Sequence, residues 1–294
     1  MTPPRATGFL DRSVLVDSKT YRYQVYVPRE YDRSRKWPAI LFLHGAGERG
    51  NDGIFSTAIA LGNAIRRKPQ RYPVIAVFPQ VPLGSSWSGE MELVALASLA
   101  AAEKEFSIDR TRVALTGISM GGAGTWRLAL HHPKRFRVVA PICGWIVPPS
   151  TLPDFAEKIE TLGIDPLSPY ESVAAKLKSK PIWITHGAKD TTVPILESRQ
   201  MHQALVRLGA PVKYTELPEA GHNSWDAAYA NDEFAAFLRP PETPRIRRSH
   251  TLHPTSCDQP PATLCISREL RAARAPDASV AIRKSEPSCL SHHA

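Results

Sequence analysis

Six short apolar runs, each separated from the next by a stretch that includes room for a helix, constrain the fold of this chain more than any other feature. They are Ala39–Leu43, Val74–Phe78, Val113–Thr116, Val138–Ile142, Ile182–Thr185 and Val212–Leu217. A strand that is apolar along both sides of its pleat must be covered on both faces, and crossover helices between parallel strands supply that cover. Ahead of these runs, Val14–Val16 and Tyr21–Val27 lie close enough in sequence to be antiparallel neighbours. Tyr21, Tyr23, Val25 and Val27 recur at every second position, as a half-buried sheet requires, and Pro28 closes the pair. The plainest helices are Glu92–Phe106, rich in Ala and Leu, Gly121–His131, stopped before Pro133, and Pro194–Leu208, stopped at Gly209. The expected architecture is therefore α/β, a doubly wound and mostly parallel sheet of about eight strands, with its sites in the loops at the carboxyl ends of strands.

The periodicity stops after Arg239, which places a single folded domain over residues 1–240 and leaves 241–294 as a basic tail rich in Pro, Ser and Arg. That tail is expected to be disordered. It carries eight Arg or Lys against five Asp or Glu, and three of the four cysteines. The rest of the net charge of +9 is scattered, apart from Arg66, Arg67 and Lys68, and no basic stripe is interleaved with aromatics. A nucleic-acid partner is not expected on that footprint. Cys143 alone lies in the patterned part and no ligand spacing joins it to the others, so neither a disulfide framework nor a metal site is expected. Residues 1–10 lack the apolar stretch of a signal peptide and no run approaches a membrane span, so the expectation is a cytoplasmic chain without a membrane partner.

Within the alternation, Gly117-Ile118-Ser119-Met120-Gly121-Gly122 follows one apolar run and opens a helical pattern. This is the strand, sharp turn, helix context of a G-x-S-x-G nucleophile elbow. The turn strains the serine backbone and draws neighbouring segments together, so side chains at Gly117 and Gly121 would clash. What it achieves is a Ser119 hydroxyl at the amino end of a helix, where N–H groups and the dipole favour a developing oxyanion. A small-residue packing turn is the bland alternative, and the surrounding pattern weighs against it.

A serine hydroxyl needs a base to take its proton. His222, in Gly221-His222-Asn223-Ser224-Trp225 after the last strand, fits the chain order nucleophile, acid, histidine. His44 precedes the nucleophile, His131, His132 and His202 belong to helices, and His186 ends a strand, so each fits less well. The orienting carboxylate should stand between Ser119 and His222 beyond a strand end, which selects Asp190 over Asp154 and Asp165. Capping of the following helix is the competing role for Asp190.

His44-Gly45-Ala46-Gly47 follows the third strand, where this architecture supplies its second oxyanion donor, so the backbone amides of Ala46 and Met120 are the expected pair. In the next segment, Glu48 to Asp52, the adjacent opposite charges read as a structural ion pair. Trp87, Trp145 and Trp225 each fall in loops after strands and are candidate walls of a substrate pocket, with ordinary packing nearly as good an account. Pro148–Lys180, where related enzymes insert a lid, is short, polar and broken by prolines, so no large lid and no activation at oil surfaces are expected.

His44–Gly50, Gly117–Gly122 and Gly221–Trp225 together resemble the small α/β-hydrolases of the peptidase, phospholipase/carboxylesterase and dienelactone-hydrolase-like kind, over roughly Phe9–Leu238. The resemblance implies the α/β-hydrolase fold, a triad of Ser119, Asp190 and His222, no cofactor, and hydrolysis of small carboxylic esters. Many such enzymes are secreted, which makes secretion the alternative location, and some have feruloyl or acetyl esterase activity. A short-chain carboxylesterase acting on a small-molecule ester is thus the leading expectation, a feruloyl or acetyl-xylan type esterase the next and a peptidase the third. From another class, a binding protein that kept this fold without catalysis is the competitor, against which the three intact residues argue.

Overall fold

The computed structural model describes residues 6–150, 152, 155 and 162–242. Nearly all of the expected tail, from residue 243 on, lies outside the described residues, as does Asp154. All eight expected strands form: β1 (Gly8–Val16), β2 (Lys19–Val27), β3 (Trp37–Leu43), β4 (Ile75–Pro79), β5 (Ile108–Ile118), β6 (Val138–Ile142), β7 (Ile182–Gly187) and β8 (Val212–Leu217). They build one sheet in the order β1-β2-β4-β3-β5-β6-β7-β8. β2 is antiparallel to both its neighbours and every other pair is parallel. β1 is longer than its apolar run because it is an edge strand, and its polar Asp11, Arg12 and Ser13 pair in register with Gln24, Tyr23 and Arg22.

Period-two alternation divides the core. Ala39, Leu41 and Leu43 of β3 pack into one cluster while Ile40 and Phe42 pack into the other. The first is covered by α2 (Glu90–Glu105), α3 (Met120–His131), α4 (Pro169–Leu177) and α5 (Leu196–Arg207). The second is covered by α1 (Ala60–Arg67), α6 (Trp225–Ala230) and α7 (Asp232–Phe237). In α2 the buried positions Met91, Val94, Ala95, Ser98, Leu99 and Ala102 follow the helical repeat, and Glu90 and Glu92 sit in its first turn where the dipole favours them. This layering and strand order are the α/β-hydrolase fold, as expected.

The order sets β3 and β6 on either side of β5, with Leu43 level with Gly117 and Ile118 level with Ile142. The loops that leave the carboxyl ends of β3, β5, β6 and β7 therefore rise side by side. Within Pro148–Lys180, residues 151, 153, 154 and 156–161 are outside the described set. Its described part holds α4 and turns Phe155 and Ile164 into the first core, so it is less polar in effect than its sequence reads. No helix among the described residues is long and apolar enough to cross a membrane.

Candidate active site

Ser119 occupies the step from β5 into α3 with φ +52° and ψ −118°, a region that L residues rarely adopt. Its neighbours explain how the turn is held. A Cβ on Gly121 would meet the Leu43 carbonyl oxygen at 1.9 Å, and one on Gly117 would meet the Gly121 carbonyl oxygen at 2.3 Å. Only glycine allows β3 and the start of α3 to come so close, as the spacing predicts. The Ser119 amide donates to the Ile142 carbonyl at 3.0 Å, tying the turn to β6.

The loops after β7 and β8 bring the other two expected residues to this turn. His222 Nε2 lies 2.9 Å from Ser119 Oγ, and His222 Nδ1 lies 2.8 Å from Asp190 Oδ2. Because Nδ1 faces a carboxylate it carries the hydrogen, which leaves Nε2 with a lone pair toward the Ser119 hydroxyl. The side chain of Asp190 is shielded from solvent. Burial alone would raise its pKa, but hydrogen bonds from His186, His222 and the Val193 amide outweigh that and hold it well below the usual carboxylate range. Its Oδ1 also accepts the Thr192 and Val193 amides at 2.8 and 3.0 Å. These amides belong to the loop before α5, whose N-cap is Ile195, so Asp190 ties down its own loop and does not cap that helix.

His186 is the residue that sequence reasoning missed. It was set aside as a base because it ends a strand, yet its Nε2 lies 3.1 Å from the same Asp190 oxygen that His222 holds. The signal was its position four residues before Asp190, in the strand that delivers the acid.

Ala46 opens a short 3-10 turn after β3, and Met120 opens α3 where an amide has no acceptor within the helix. Leu43 and Gly117 are level in adjacent parallel strands, so both amides stand at the same edge of the sheet. His44 braces this loop. Its Nδ1 donates to the Gly45 carbonyl at 2.6 Å and its Nε2 accepts the Val81 amide at 3.1 Å. Full burial pushes its pKa down to about 4, so the ring stays neutral and this pattern persists at physiological pH. Beyond the turn, contacts other than a charge pair contribute to holding the segment where an ion pair is expected. Asp52 accepts the Ile54 and Phe55 amides, Gln80 Nε2 donates to the Glu48 carbonyl at 3.0 Å, and Arg49 stacks 4.6 Å over the Phe155 ring. Local side-chain bonds of the Asp52 kind offer the backbone partners that secondary structure would otherwise supply.

Beside Met120 lies a small cleft walled by Trp87, Trp145, Phe155 and Leu162, with Arg127 among its lining. Trp145 and Phe155 meet edge to face at 5.6 Å. Glu197 of α5 fixes the Trp145 segment by accepting the Ile146 and Val147 amides at 2.9 and 3.1 Å. Trp87 is also an anchor, since its Nε1 donates to the His44 carbonyl at 2.9 Å. Trp225 is placed differently from the expectation. It stands edge-on to the His222 ring at 5.5 Å and packs against the second core, outside this cleft.

Among the described residues one cluster has the donor types for a metal, Cys143, Asp190 and His222, with donor atoms within 4.8 Å of one another. Asp190 and His222 are already hydrogen-bonded to each other, and burial pushes the Cys143 thiol up to about 12, which keeps it neutral. These groups fit a hydrogen-bonded network better than a ligand set.

Three relatives bear on this geometry. A protein named "Uncharacterized secreted protein" of Arthroderma benhamiae is 26% identical over 229 residues, covering 69% of this chain and 23% of its own length. "Probable feruloyl esterase C" of Aspergillus niger is 23% identical over 207 residues, covering 69% of this chain and 67% of its own. The crystal structure of a thermostable esterase superposes with a TM-score of 0.64 at 27% identity, over 78% of this chain and 62% of that one. The chain thus spans about a quarter of the first relative and about three fifths of the last. The model of the prolyl oligopeptidase family matches residues 91–239, half of the chain and the part that carries Ser119, Asp190 and His222, and the chain belongs to that family.

Proposed function

We propose that this protein is a serine hydrolase of carboxylic esters that works through an acyl-enzyme on Ser119. The observation that carries the reading is the unbroken line from Ser119 Oγ through both ring nitrogens of His222 to Asp190, at 2.9 and 2.8 Å. Ser119 Oγ attacks the ester carbonyl carbon as His222 Nε2 takes the hydroxyl proton, and Asp190 stabilises the imidazolium that forms. The amides of Ala46 and Met120 receive the charge on the tetrahedral oxygen. Collapse expels the alcohol, which takes its proton from His222. Water then repeats the sequence and frees the acid.

The aromatic walls at Trp87, Trp145 and Phe155 favour a flat acyl group, and the name of the Aspergillus relative supports an aromatic acid such as ferulate among the substrates. The family name supports a second reading as a peptidase, in which the same residues expel an amine. Esters are preferred because the thermostable esterase superposes on this chain at 27% identity. The name of the Arthroderma relative supports secretion in place of the cytoplasmic location expected from residues 1–10.

A fluorophosphonate probe tests the chemistry. It should label the native protein and leave Ser119→Ala unlabelled; absence of native labelling would refute the enzyme reading. A panel of p-nitrophenyl acyl esters, methyl ferulate and dipeptide p-nitroanilides then separates esterase from peptidase. Faster turnover of the anilides would overturn the ester assignment.

A further inference from the structure

The mechanism above makes no use of a second buried imidazole. His186 closes β7 with no exposed surface, and Ser198, in the first turn of α5, is nearly as buried. His186 Nε2 stands 3.1 Å from Asp190 Oδ2 and 3.1 Å from the Val193 carbonyl oxygen. Both are acceptors, so Nε2 carries the hydrogen. Nδ1 lies 2.7 Å from Ser198 Oγ and, in that neutral tautomer, accepts the hydroxyl hydrogen. The opposite tautomer would aim a lone pair at two oxygens, a costly arrangement where no water reaches.

We infer that His186, oriented by Ser198, is a positioning residue that fixes the Asp190 carboxylate for His222 and shares its negative charge. The inference rests on the reading of Ser119, His222 and Asp190 as the reacting set. Asp190 accepts two ring N–H groups on Oδ2 and two amides on Oδ1, so its plane is fixed by four donors. Without the His186 donor, two things change. The carboxylate loses one of the restraints on its plane, and His222 becomes the sole ring partner of Oδ2. A less shared carboxylate holds the imidazolium more tightly and itself takes up a proton at higher pH. The tighter hold on the imidazolium moves the acid limb of the activity profile upward. The other ionisable groups around the pair are Cys143, a neutral thiol beside Asp190, and Glu197 and Glu216, whose charges act on His186. All three are left in place by the variants below.

The test compares native protein with His186→Leu, His186→Gln and Ser198→Ala in p-nitrophenyl acetate hydrolysis from about pH 5 to pH 9. His186→Leu should lower kcat about tenfold, the loss of one charge-assisted hydrogen bond, with KM unchanged and the acid limb raised by about one pH unit. His186→Gln, whose side-chain amide can donate from the position of Nε2, should restore most of both. Ser198→Ala, which frees the ring to change tautomer, should shift the limb in the same direction by less. A limb that stays at its native position in Ser198→Ala, and in His186→Leu where circular dichroism shows that variant folded, overturns the inference. Activity that survives Ser119→Ala would instead overturn the reading on which it rests, so the two failures are distinguishable.

Discussion

Replacing Asp190 with Asn asks whether this carboxylate acts by fixing the tautomer of His222. The change keeps the shape of the side chain, and one oxygen remains to accept the Thr192 and Val193 amides. An amide NH2 then stands where Oδ2 stood, 2.8 Å from His222 Nδ1 and 3.1 Å from His186 Nε2. Donors would face donors. The least costly response of His222 is to move its hydrogen to Nε2 so that Nδ1 can accept from the new NH2, and Nε2 then has no lone pair for the Ser119 proton. The expected loss is about 10⁴ in kcat, or about 5.5 kcal/mol of transition-state stabilisation. KM should stay within about twofold, because Asp190 is absent from the cleft lining and the loss falls on the transition state alone. Steady-state hydrolysis of p-nitrophenyl acetate near neutral pH, normalised by titration of reactive serine, measures both constants. A folded Asp190→Asn variant whose kcat lies within tenfold of native would refute the tautomer account.

The same carboxylate links stability to acid pH. Because the folded state holds Asp190 below its ordinary range, its contribution is complete above about pH 4 and is lost as pH falls through the depressed folded value. Thermal melts should therefore drop more steeply below about pH 4 for the native protein than for Asp190→Asn, and equal slopes would contradict this. Gly121→Ala places a Cβ 1.9 Å from the Leu43 carbonyl oxygen, so β3 or α3 must move; urea unfolding should show a loss of about 3 kcal/mol or more. Trp145→Ala removes one face of the cleft while leaving the hydrogen-bonded residues untouched. It should raise KM for methyl ferulate about tenfold while kcat for p-nitrophenyl acetate changes by less than about threefold, which parallel kinetics would reveal. His44→Leu deprives the Val81 amide of its acceptor and loosens the turn bearing Ala46, and kcat should fall about tenfold or more with little change in KM.

What could be read from the sequence was what repeats or punctuates. The apolar runs at Ala39–Leu43 and Ile182–Thr185 were legible because strands covered on both faces are dominated by apolar residues. The elbow was legible because Gly117 and Gly121 mark a clash that any other residue would make. β1 began six residues earlier than its apolar run, because an edge strand exposes one row of side chains and mixes Asp11, Arg12 and Ser13 into its pattern. α1 was hidden for a related reason: Arg66 and Arg67 read as a charge cluster, while Leu61 and Ile65 on the same helix enter the second core. α6 and α7 span six residues each, too few to show a helical repeat. The misplacement of Trp225 and the omission of His186 have another origin. Each depends on which way a side chain turns from a loop or strand end, and that is decided by packing between segments distant in the chain.

That packing also explains how the site keeps its shape while holding strained backbone. Ser119 and Cys143 both adopt positive φ, at +52° and +40°, beyond the ends of the adjacent strands β5 and β6. Each such residue costs of order 1–3 kcal/mol, which local sequence does not repay. Their amides step across the sheet, Ser119 to the Ile142 carbonyl at 3.0 Å and Cys143 to the Thr185 carbonyl at 2.9 Å, so each turn is fixed by the next strand over. Thr185 in turn precedes His186, the second partner of Asp190. Buried side chains just below, among them Leu115, Ile142 and Ile184, each contribute about 1.5–3 kcal/mol by leaving water, enough together to offset both strained residues. A cavity beneath the elbow should thus be felt in the chemistry as well as in stability. Ile142→Ala, at a residue that does not itself line the cleft, should cost about 2–5 kcal/mol in urea unfolding and lower kcat more than it raises KM. A variant that loses that stability yet keeps native kcat would show that the elbow holds its geometry without this support.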